Sequence, residues 1–182
     1  MSIISVLDEQ TSVGFTGKVN LLKKTDGQFL GAVSVREGSI CFCNYAGKLG
    51  KKALITAIIH EMDNIIEVKT VIEPEVIEPQ DGEFRFAIGD LKKRAAKELQ
   101  KYKTLKKLRP PDHLTVMANI KIFDEASAMN YNNFLVLKSM TEFSKVEDIY
   151  KYTNLFEHEV TESLVTLRKK GYVNVVSKEI DQ

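Results

Sequence analysis

Two cysteines and three histidines are the side chains in this sequence best suited to metal, redox or nucleophilic chemistry. Cys41 and Cys43 alternate in the apolar stretch SICFCNY, which places them on the same face of a predicted strand, where they rarely have disulfide geometry. They are interpreted as small buried residues of a reduced, cytoplasmic protein. His60, His113 and His158 share no ligand-like spacing with each other or with the cysteines. The sequence therefore predicts no metal site, no cofactor and no catalytic constellation.

A glycine turn rich in lysine, Gly47–Lys52 in YAGKLGKKAL, superficially resembles a phosphate-binding loop. It lacks the G-x-x-x-x-G-K-S/T spacing, and Ala53 stands where a metal-binding hydroxyl would be. Backbone amides with Lys48, Lys51 and Lys52 at a helix start could still hold an anion or a nucleotide. A turn that opens a core helix is the alternative interpretation, and both stay open.

An acidic helix is predicted in FEHEVTESLVTLRKKGYV, residues 156–173. Its core side is an apolar stripe at helical spacing, consisting of Phe156, Val160, Leu164 and Leu167. The opposite side is predicted to hold His158, Glu162, Val165 and Lys169, flanked by Glu159 and Thr161.

Negative charge on this helix argues against DNA reading, because affinity for DNA comes mostly from Lys and Arg that neutralise phosphates. Glu157, Glu159 and Glu162 fall in its first half, where a carboxylate close to a phosphate is repelled by about 1 kcal/mol in water. The helix dipole favours carboxylates at the helix start, so capping is an alternative for Glu157. The predicted partner-binding residues are His158, Glu159, Glu162, Val165 and Lys169, and a plain solvated face is the alternative.

A basic helix is predicted over residues 89–109, which carry a net charge of +7 between two segments of −3 each. Its basic surface comprises Lys92, Lys93, Arg94, Lys97, Lys101, Lys106 and Lys107, with Lys103 and Arg109 beside them. Nucleic acid, an anionic membrane surface, an acidic protein and a simple solvated connector are all open interpretations. The apolar stripe, formed by Leu91, Ala95, Leu99, Tyr102, Leu105 and Leu108, could instead seal a homodimer.

The remaining patterns place these candidates in an α+β fold. Residues 2–10 are expected to form one or two helical turns. Three strands in a meander are predicted in TGKVNLLKK, FLGAVSVRE and SICFCNY, followed by the helix ALITAIIHEMD and the strands IIEVKTVIEP and EFRFAI. HLTVMANIKIF is expected to be extended. No apolar run approaches the roughly 20 residues that span a bilayer, and the first residues lack the features of a signal peptide.

Three helices and a strand are predicted in the last third. The helices are NYNNFLVLKSMTEF, SKVEDIYKYT and NLFEHEVTESLVTLRKKG, with capping boxes at Ser144/Glu147 and Asn154/Glu157 and a glycine stop at Gly171. The strand is YVNVVSKE. A helix-turn-helix with a small wing has this order. The predicted domains are a β-rich lobe at 1–88, a connector helix at 89–111 and a winged-helix-like lobe at 112–182.

Two stretches together resemble a known family. TGKVNLL and FLGAVSVREGSICFCNYAGKLGKKAL are similar to the PATAN domain of PatA-type bacterial response regulators. The residues that match its pattern are Gly17, Gly31, Gly38, Ile40, Gly50, Ala53 and Leu54. The second stretch, NNFLVLKSMTEFSKVEDIYKYTNLFEHEVTESLVTLRKKGYV, resembles the degenerate winged helix that often follows that domain. The residues that match its pattern are Val146, Ile149, Val160, Leu164, Leu167, Gly171 and Val173. Phe143 and Ser144 replace the usual glycine turn.

The resemblance implies a bacterial protein-interaction module without catalysis, of the kind found in motility, pilus and cell-polarity control. We therefore expect a non-catalytic signalling adaptor that binds a partner protein. The alternative is a winged-helix transcription regulator that binds DNA through the basic helix together with Lys169 and Lys170. Nucleic acid is the less favoured partner, membrane insertion is not expected, and a homodimer stays open.

Overall fold

The computed structural model describes residues 1–124 and 129–176. It has the mixed α+β fold that the sequence predicts. The chain separates into two compact units, Met1–Gln100 (unit 1) and Lys101–Gln182 (unit 2). The boundary lies within a helix, and the finer limits of 1–88, 89–111 and 112–182 stay predictions.

Unit 1 is built on a five-stranded antiparallel sheet with the strand order β4-β3-β2-β1-β5. The predicted meander is confirmed by β1 (Gly17–Lys23), β2 (Phe29–Arg36) and β3 (Ser39–Tyr45), and two further strands are β4 (Lys48–Leu49) and β5 (Val68–Pro74). β5 pairs with β1 along its whole length. The last strand of unit 1 therefore lies beside the first, and it forms one edge of the sheet.

Tight turns with positive φ angles fix this meander. Glu37 (φ 50°) and Gly38 (φ 71°) join β2 to β3, and Ala46 (φ 50°) and Gly47 (φ 79°) join β3 to β4. Two-residue hairpin turns of this kind match the twist of antiparallel strands and favour glycine. Gly31 is needed for a different reason, because a Cβ there would overlap the carbonyl oxygen of Asn44 on β3.

Two helices, α1 (Ile3–Ser12) and α2 (Gly50–Met62), pack on β3. The side chain of Ser2 caps α1 by accepting a hydrogen bond from the backbone N–H of Ser5. The Glu61 carboxylate of α2 accepts from the backbone N–H of Ile3 at 2.9 and 3.0 Å. The core of unit 1 includes Val19, Leu21, Val33, Val35, Ile40, Leu54 and Ile58, each fully buried.

Residues 75–87 lie between β5 and the next helix. The strand predicted in EFRFAI is wrong, and its last residue, Ile88, already belongs to that helix. That segment makes one isolated bridge, Phe86 to Ile40, and one backbone hydrogen bond from Phe84 to Cys41. These contacts lie on the edge of β3 that β4 also uses, and they are too few to form a ladder. Glu83 instead holds the segment through two hydrogen bonds with Arg36, at 2.6 and 2.8 Å.

The predicted basic helix is α3 (Ile88–Leu105), which is extended by a 3-10 helix over Lys106–Leu108. It ends at Arg109, before two prolines that cannot continue the hydrogen-bond ladder. Of its predicted apolar stripe, Leu91, Ala95 and Tyr102 are buried and Leu99 and Leu105 are half-buried. The stripe is wrong at its end, because Leu108 is 53% exposed in the 3-10 turn.

Unit 2 contains the three predicted helices and a small sheet. Its elements are β6 (Thr115–Ala118), α4 (Tyr131–Met140), α5 (Val146–Tyr152), α6 (Glu157–Lys169) and β7 (Val173–Val176). β6 and β7 pair antiparallel. The prediction that HLTVMANIKIF is extended is confirmed only at β6, because Ile120–Asp124 is a 3-10 helix. The last residues of the predicted strand YVNVVSKE, 177–179, lie outside the described residues.

The core of unit 2 lies between the helices and the inner face of the β6–β7 sheet. Its fully buried members are Val136, Val146, Ile149, Leu155, Val160 and Leu167. The capping box expected at Ser144 is wrong. α5 begins one residue later, after Lys145, and the Ser144 carbonyl accepts a hydrogen bond from the backbone N–H of Val116 on β6.

Candidate interaction surface

The start of α6 lies two residues later than the sequence predicts, so the capping box at Asn154 is wrong. The N-cap residue is Phe156, and its backbone N–H donates a hydrogen bond to the Glu159 carboxylate at 2.9 Å. A phenylalanine side chain has no acceptor, so only this half of a capping box can form. Glu159 therefore stabilises the helix start, and its interaction is internal.

Glu157 is also held within unit 2. Its carboxylate forms an ion pair with Arg109 at 2.6 Å, and Arg109 forms a second ion pair with Asp112 at 2.7 Å. The Arg109 guanidinium lies over the ring of Tyr150, 4.0 Å from its centroid. Burial raises the pKa of Tyr150 to about 12, against the opposing effects of its hydrogen bond to Thr161 and of the Arg109 charge.

His158 and Thr161 do not lie on the outward face where the sequence places them. The side chain of His158 is 3% exposed, and its ring stacks on Phe156 with a centroid separation of 5.3 Å. Thr161 is 2% exposed and shares a 2.7 Å hydrogen bond with the Tyr150 hydroxyl. The apolar stripe is confirmed as buried, but burial in the first two turns extends well beyond that stripe.

The exposed strip of α6 is therefore narrow. Glu162 and Lys169 are exposed, and Val165 and Thr166 between them are half-buried. Three cations are exposed at the end of the helix and just beyond it: Arg168, Lys169 and Lys170. Of the five predicted partner-binding residues, Glu162, Val165 and Lys169 share this strip, whereas His158 is buried and Glu159 caps the helix.

Exposed aromatic residues on α4 form a second surface, which the sequence analysis missed. Tyr131 is 71% exposed and Phe134 is 55% exposed, and with the exposed Lys138 they recur at i, i+3 and i+7 on one side of the helix. Asn133 and Val136 are buried on the other side. A helical wheel of NYNNFLVLKSM would have separated the two sides.

The basic residues of α3 and of the 3-10 helix that follows it are largely exposed, but several already have partners. Lys92 forms an ion pair with Asp8 of α1 at 2.6 Å, and Arg94 pairs at 3.1 Å with Glu98, whose side chain is 1% exposed. Lys106 lies over the ring of Tyr102. Within residues 1–124 and 129–176, Lys93, Lys97 and Lys107 are exposed and form no ion pair. Lys101 is exposed as well.

The glycine turn opens α2, as one of its two interpretations requires. Gly50 begins the helix with φ 76°, and Lys48 is 6% exposed on β4. Lys51 lies over the ring of Phe86 at 5.4 Å. The anion-binding interpretation stays a prediction.

The two cysteines are buried free thiols, as the sequence predicts. The part of the chain that the structure describes contains no group of His, Cys, Asp and Glu side chains arranged to hold a metal ion. Over the same residues, no helix is both long and apolar enough to cross a bilayer.

Comparison of the chain with known protein families, with characterised proteins and with solved structures gives no match. The resemblance to the PATAN domain and to a degenerate winged helix therefore stays a hypothesis drawn from the sequence.

Proposed function

We propose that this chain is a non-catalytic bacterial signalling adaptor that binds a partner protein, in the control of motility, pilus function or cell polarity. The choice of pathway rests on the resemblance to the PATAN domain. The choice of a protein partner rests on the surface of unit 2.

The observation that carries the proposal is the exposed aromatic pair on α4. Tyr131 and Phe134 are large apolar side chains on one side of a helix, each more than half exposed. Aromatic residues at exposed positions are enriched at protein interfaces, because they bury much area at little cost in conformational entropy. The strip Glu162–Val165–Lys169 on α6, with its mixed charge, is the second surface that we assign to partner binding.

Direct capture tests this proposal. The purified chain, immobilised, is used to isolate a partner from its own cell extract, and the isolated protein is then produced and titrated against variants. We assign Tyr131 and Phe134 as hot spots of the interface and expect Phe134→Ser and Tyr131→Ser to weaken binding at least tenfold, because truncation of a hot-spot residue costs about 2 kcal/mol or more. Glu162→Lys and Val165→Lys test the α6 strip. Glu78→Lys, at an exposed position in unit 1, is the matched control for Glu162→Lys.

Circular dichroism must show that each variant is folded, which matters most for the half-buried Val165. Unchanged affinity in both aromatic variants would remove α4 from the interface. Unchanged affinity in all four variants would refute the assignment of both surfaces.

DNA binding is the second candidate, and one observation favours it. Glu157 and Glu159, which the sequence placed as repulsive charges, are engaged internally, and Arg168, Lys169 and Lys170 are exposed. The first half of α6 still presents Glu162 and no cation. A gel-shift titration with mixed duplex DNA at low salt decides between the two, since phosphate contacts give an affinity that falls steeply with salt. We expect no shift.

A further inference from the structure

The outer edge of β5 is the strongest unassigned feature of unit 1. β5 is the terminal strand of the sheet, and within the described residues only its inner edge is paired, with β1. Its register with β1 has no bulge, and its only proline is the last residue, Pro74. Natural sheets protect such edges with bulges, prolines, a covering element or charged side chains, especially lysine. β5 carries Lys69 and Glu73, so its edge repels most strands but accepts one of complementary charge.

The hydrogen-bond register shows which backbone groups point outward. The Lys24 N–H donates to the Glu67 carbonyl, directly opposite it just beyond the strand ends. Hydrogen-bonded pairs alternate along an antiparallel ladder, so positions 69, 71 and 73 bond to β1. Val68, Thr70 and Ile72 therefore direct their N–H and C=O groups to the outer edge.

Side chains on this edge alternate in charge and polarity. Lys69 and Glu73 are exposed on the side that carries Asn20, whose amide donates to the Glu73 carboxylate at 2.7 Å. Ile72, on the opposite side of the strand, is 41% exposed. It lines an open cleft of about 730 Å³ together with Met1, Val6 and Ile66. The strand thus offers both backbone hydrogen bonds and apolar surface.

We propose that β5 pairs antiparallel with β5 of a second copy of this chain, about a two-fold axis at Val71, to form a homodimer with one continuous sheet. Charge and the number of backbone hydrogen bonds together favour this register. With the axis at Val71, Lys69 lies opposite Glu73 of the second copy, and Glu73 lies opposite its Lys69. The outward groups of Thr70 and Ile72 then bond to each other across the axis, and the Pro74 carbonyl accepts from Val68.

The neighbouring registers are less favourable. The axis at Ile72 places Lys69 opposite Glu75, so charge does not exclude it, but it pairs Thr70 with Pro74, which has no N–H, and gives only about four backbone hydrogen bonds. An axis at Thr70 places Glu67 opposite Glu73, and an axis at Lys69 places two lysines together. Like charges directly opposite each other destabilise a ladder. The Val71 register also gives about six backbone hydrogen bonds between the copies. This is the self-complementary pattern that a two-fold interface requires.

Charge reversal provides the decisive test by sedimentation equilibrium of the full chain. The wild type should pass from 20.6 kDa towards twice that mass as concentration rises. Lys69→Glu and Glu73→Lys each place like charges at two symmetry-related sites, so each alone should dimerise roughly 30-fold more weakly. An equimolar mixture of the two variants should recover the dimer, because each introduced charge then faces its opposite.

Two further variants separate this interface from others. Thr70→Pro removes an outward N–H and leaves the ladder with β1 intact, so it should abolish the dimer while the chain stays folded. Lys93→Glu, on α3, is the control of equal charge change and should not alter the mass. If Lys93→Glu changes the mass, or if Lys69→Glu and Glu73→Lys both dimerise like the wild type, the interface lies elsewhere. A wild type that stays at 20.6 kDa, or a mixture that does not recover, overturns the proposal.

Discussion

Removing the Arg109 side chain should destabilise unit 2 by about 2 to 3 kcal/mol. Arg109 and Glu157 are 29% and 22% exposed, which places their ion pair between surface pairs, worth about 0.2–1 kcal/mol, and buried pairs, whose disruption costs about 3–5 kcal/mol. We take about 2 kcal/mol for the ion pair. The contact with Tyr150 adds about 0.5–1 kcal/mol.

Hydrogen exchange of the α6 backbone amides, followed by mass spectrometry, measures this loss of stability in the full chain. In Arg109→Ala we expect α6 to exchange roughly 30-fold or more faster, since each 1.4 kcal/mol is about tenfold in an equilibrium constant. Arg109→Lys keeps the charge but loses the two-pronged geometry, so its effect should be intermediate. Arg168→Ala, at an exposed position on α6, is the matched control.

A double-mutant cycle with Glu157→Gln should give a coupling of about 1–2 kcal/mol between the two residues. Equal exchange in Arg109→Ala and Arg168→Ala would show that Arg109 does not hold the start of α6. A coupling near zero would assign the loss of stability to Tyr150 or Asp112 instead of Glu157.

Two further predictions concern the helix start and the thiols. Glu159→Ala removes the acceptor of the Phe156 N–H and should lower the free energy of unfolding by about 1 kcal/mol in denaturant titrations. Glu162→Ala is the control and should change that free energy by less than about 0.5 kcal/mol. Equal effects of the two variants would contradict the assigned cap. Burial raises the pKa of Cys41 and Cys43, so both should stay protonated thiols at pH 8 and react with Ellman's reagent only after unfolding. Rapid native reaction would show that at least one of them is accessible.

The sequence predicted the elements of this fold better than their ends. The periodicity of the hydrophobic residues and the positions of the glycine turns located the meander, α2, α3 and the three helices of unit 2, because those signals are local in the sequence. EFRFAI has a strand pattern, but within the described residues it forms one isolated bridge, from Phe86 to Ile40, and no ladder. Strand pairing is a tertiary property that the local pattern does not contain.

The candidate surface was predicted only in part, for a similar reason. A shift of two residues in the start of α6 moved the capping role from Glu157 to Glu159. The burial of His158 and Thr161 depends on side chains that the helical wheel of α6 alone does not include. Tyr150 belongs to α5, and Arg109 lies 48 positions before Glu157. The exposed positions Glu162 and Lys169 were predicted correctly, since no packing partner displaces them.

The pairing of β6 with β7 also constrains how unit 2 is made. The two strands are separated in the chain by all three helices, about 55 residues. At roughly 5–20 residues per second of synthesis, β6 waits about 3 to 10 seconds before its partner exists. During that time the edge of β6 that later pairs with β7 has no partner strand, and Val116 has no residue of β7 opposite it. We therefore expect newly made chains to expose β6 to chaperones during translation, and unit 2 to complete its folding later than unit 1.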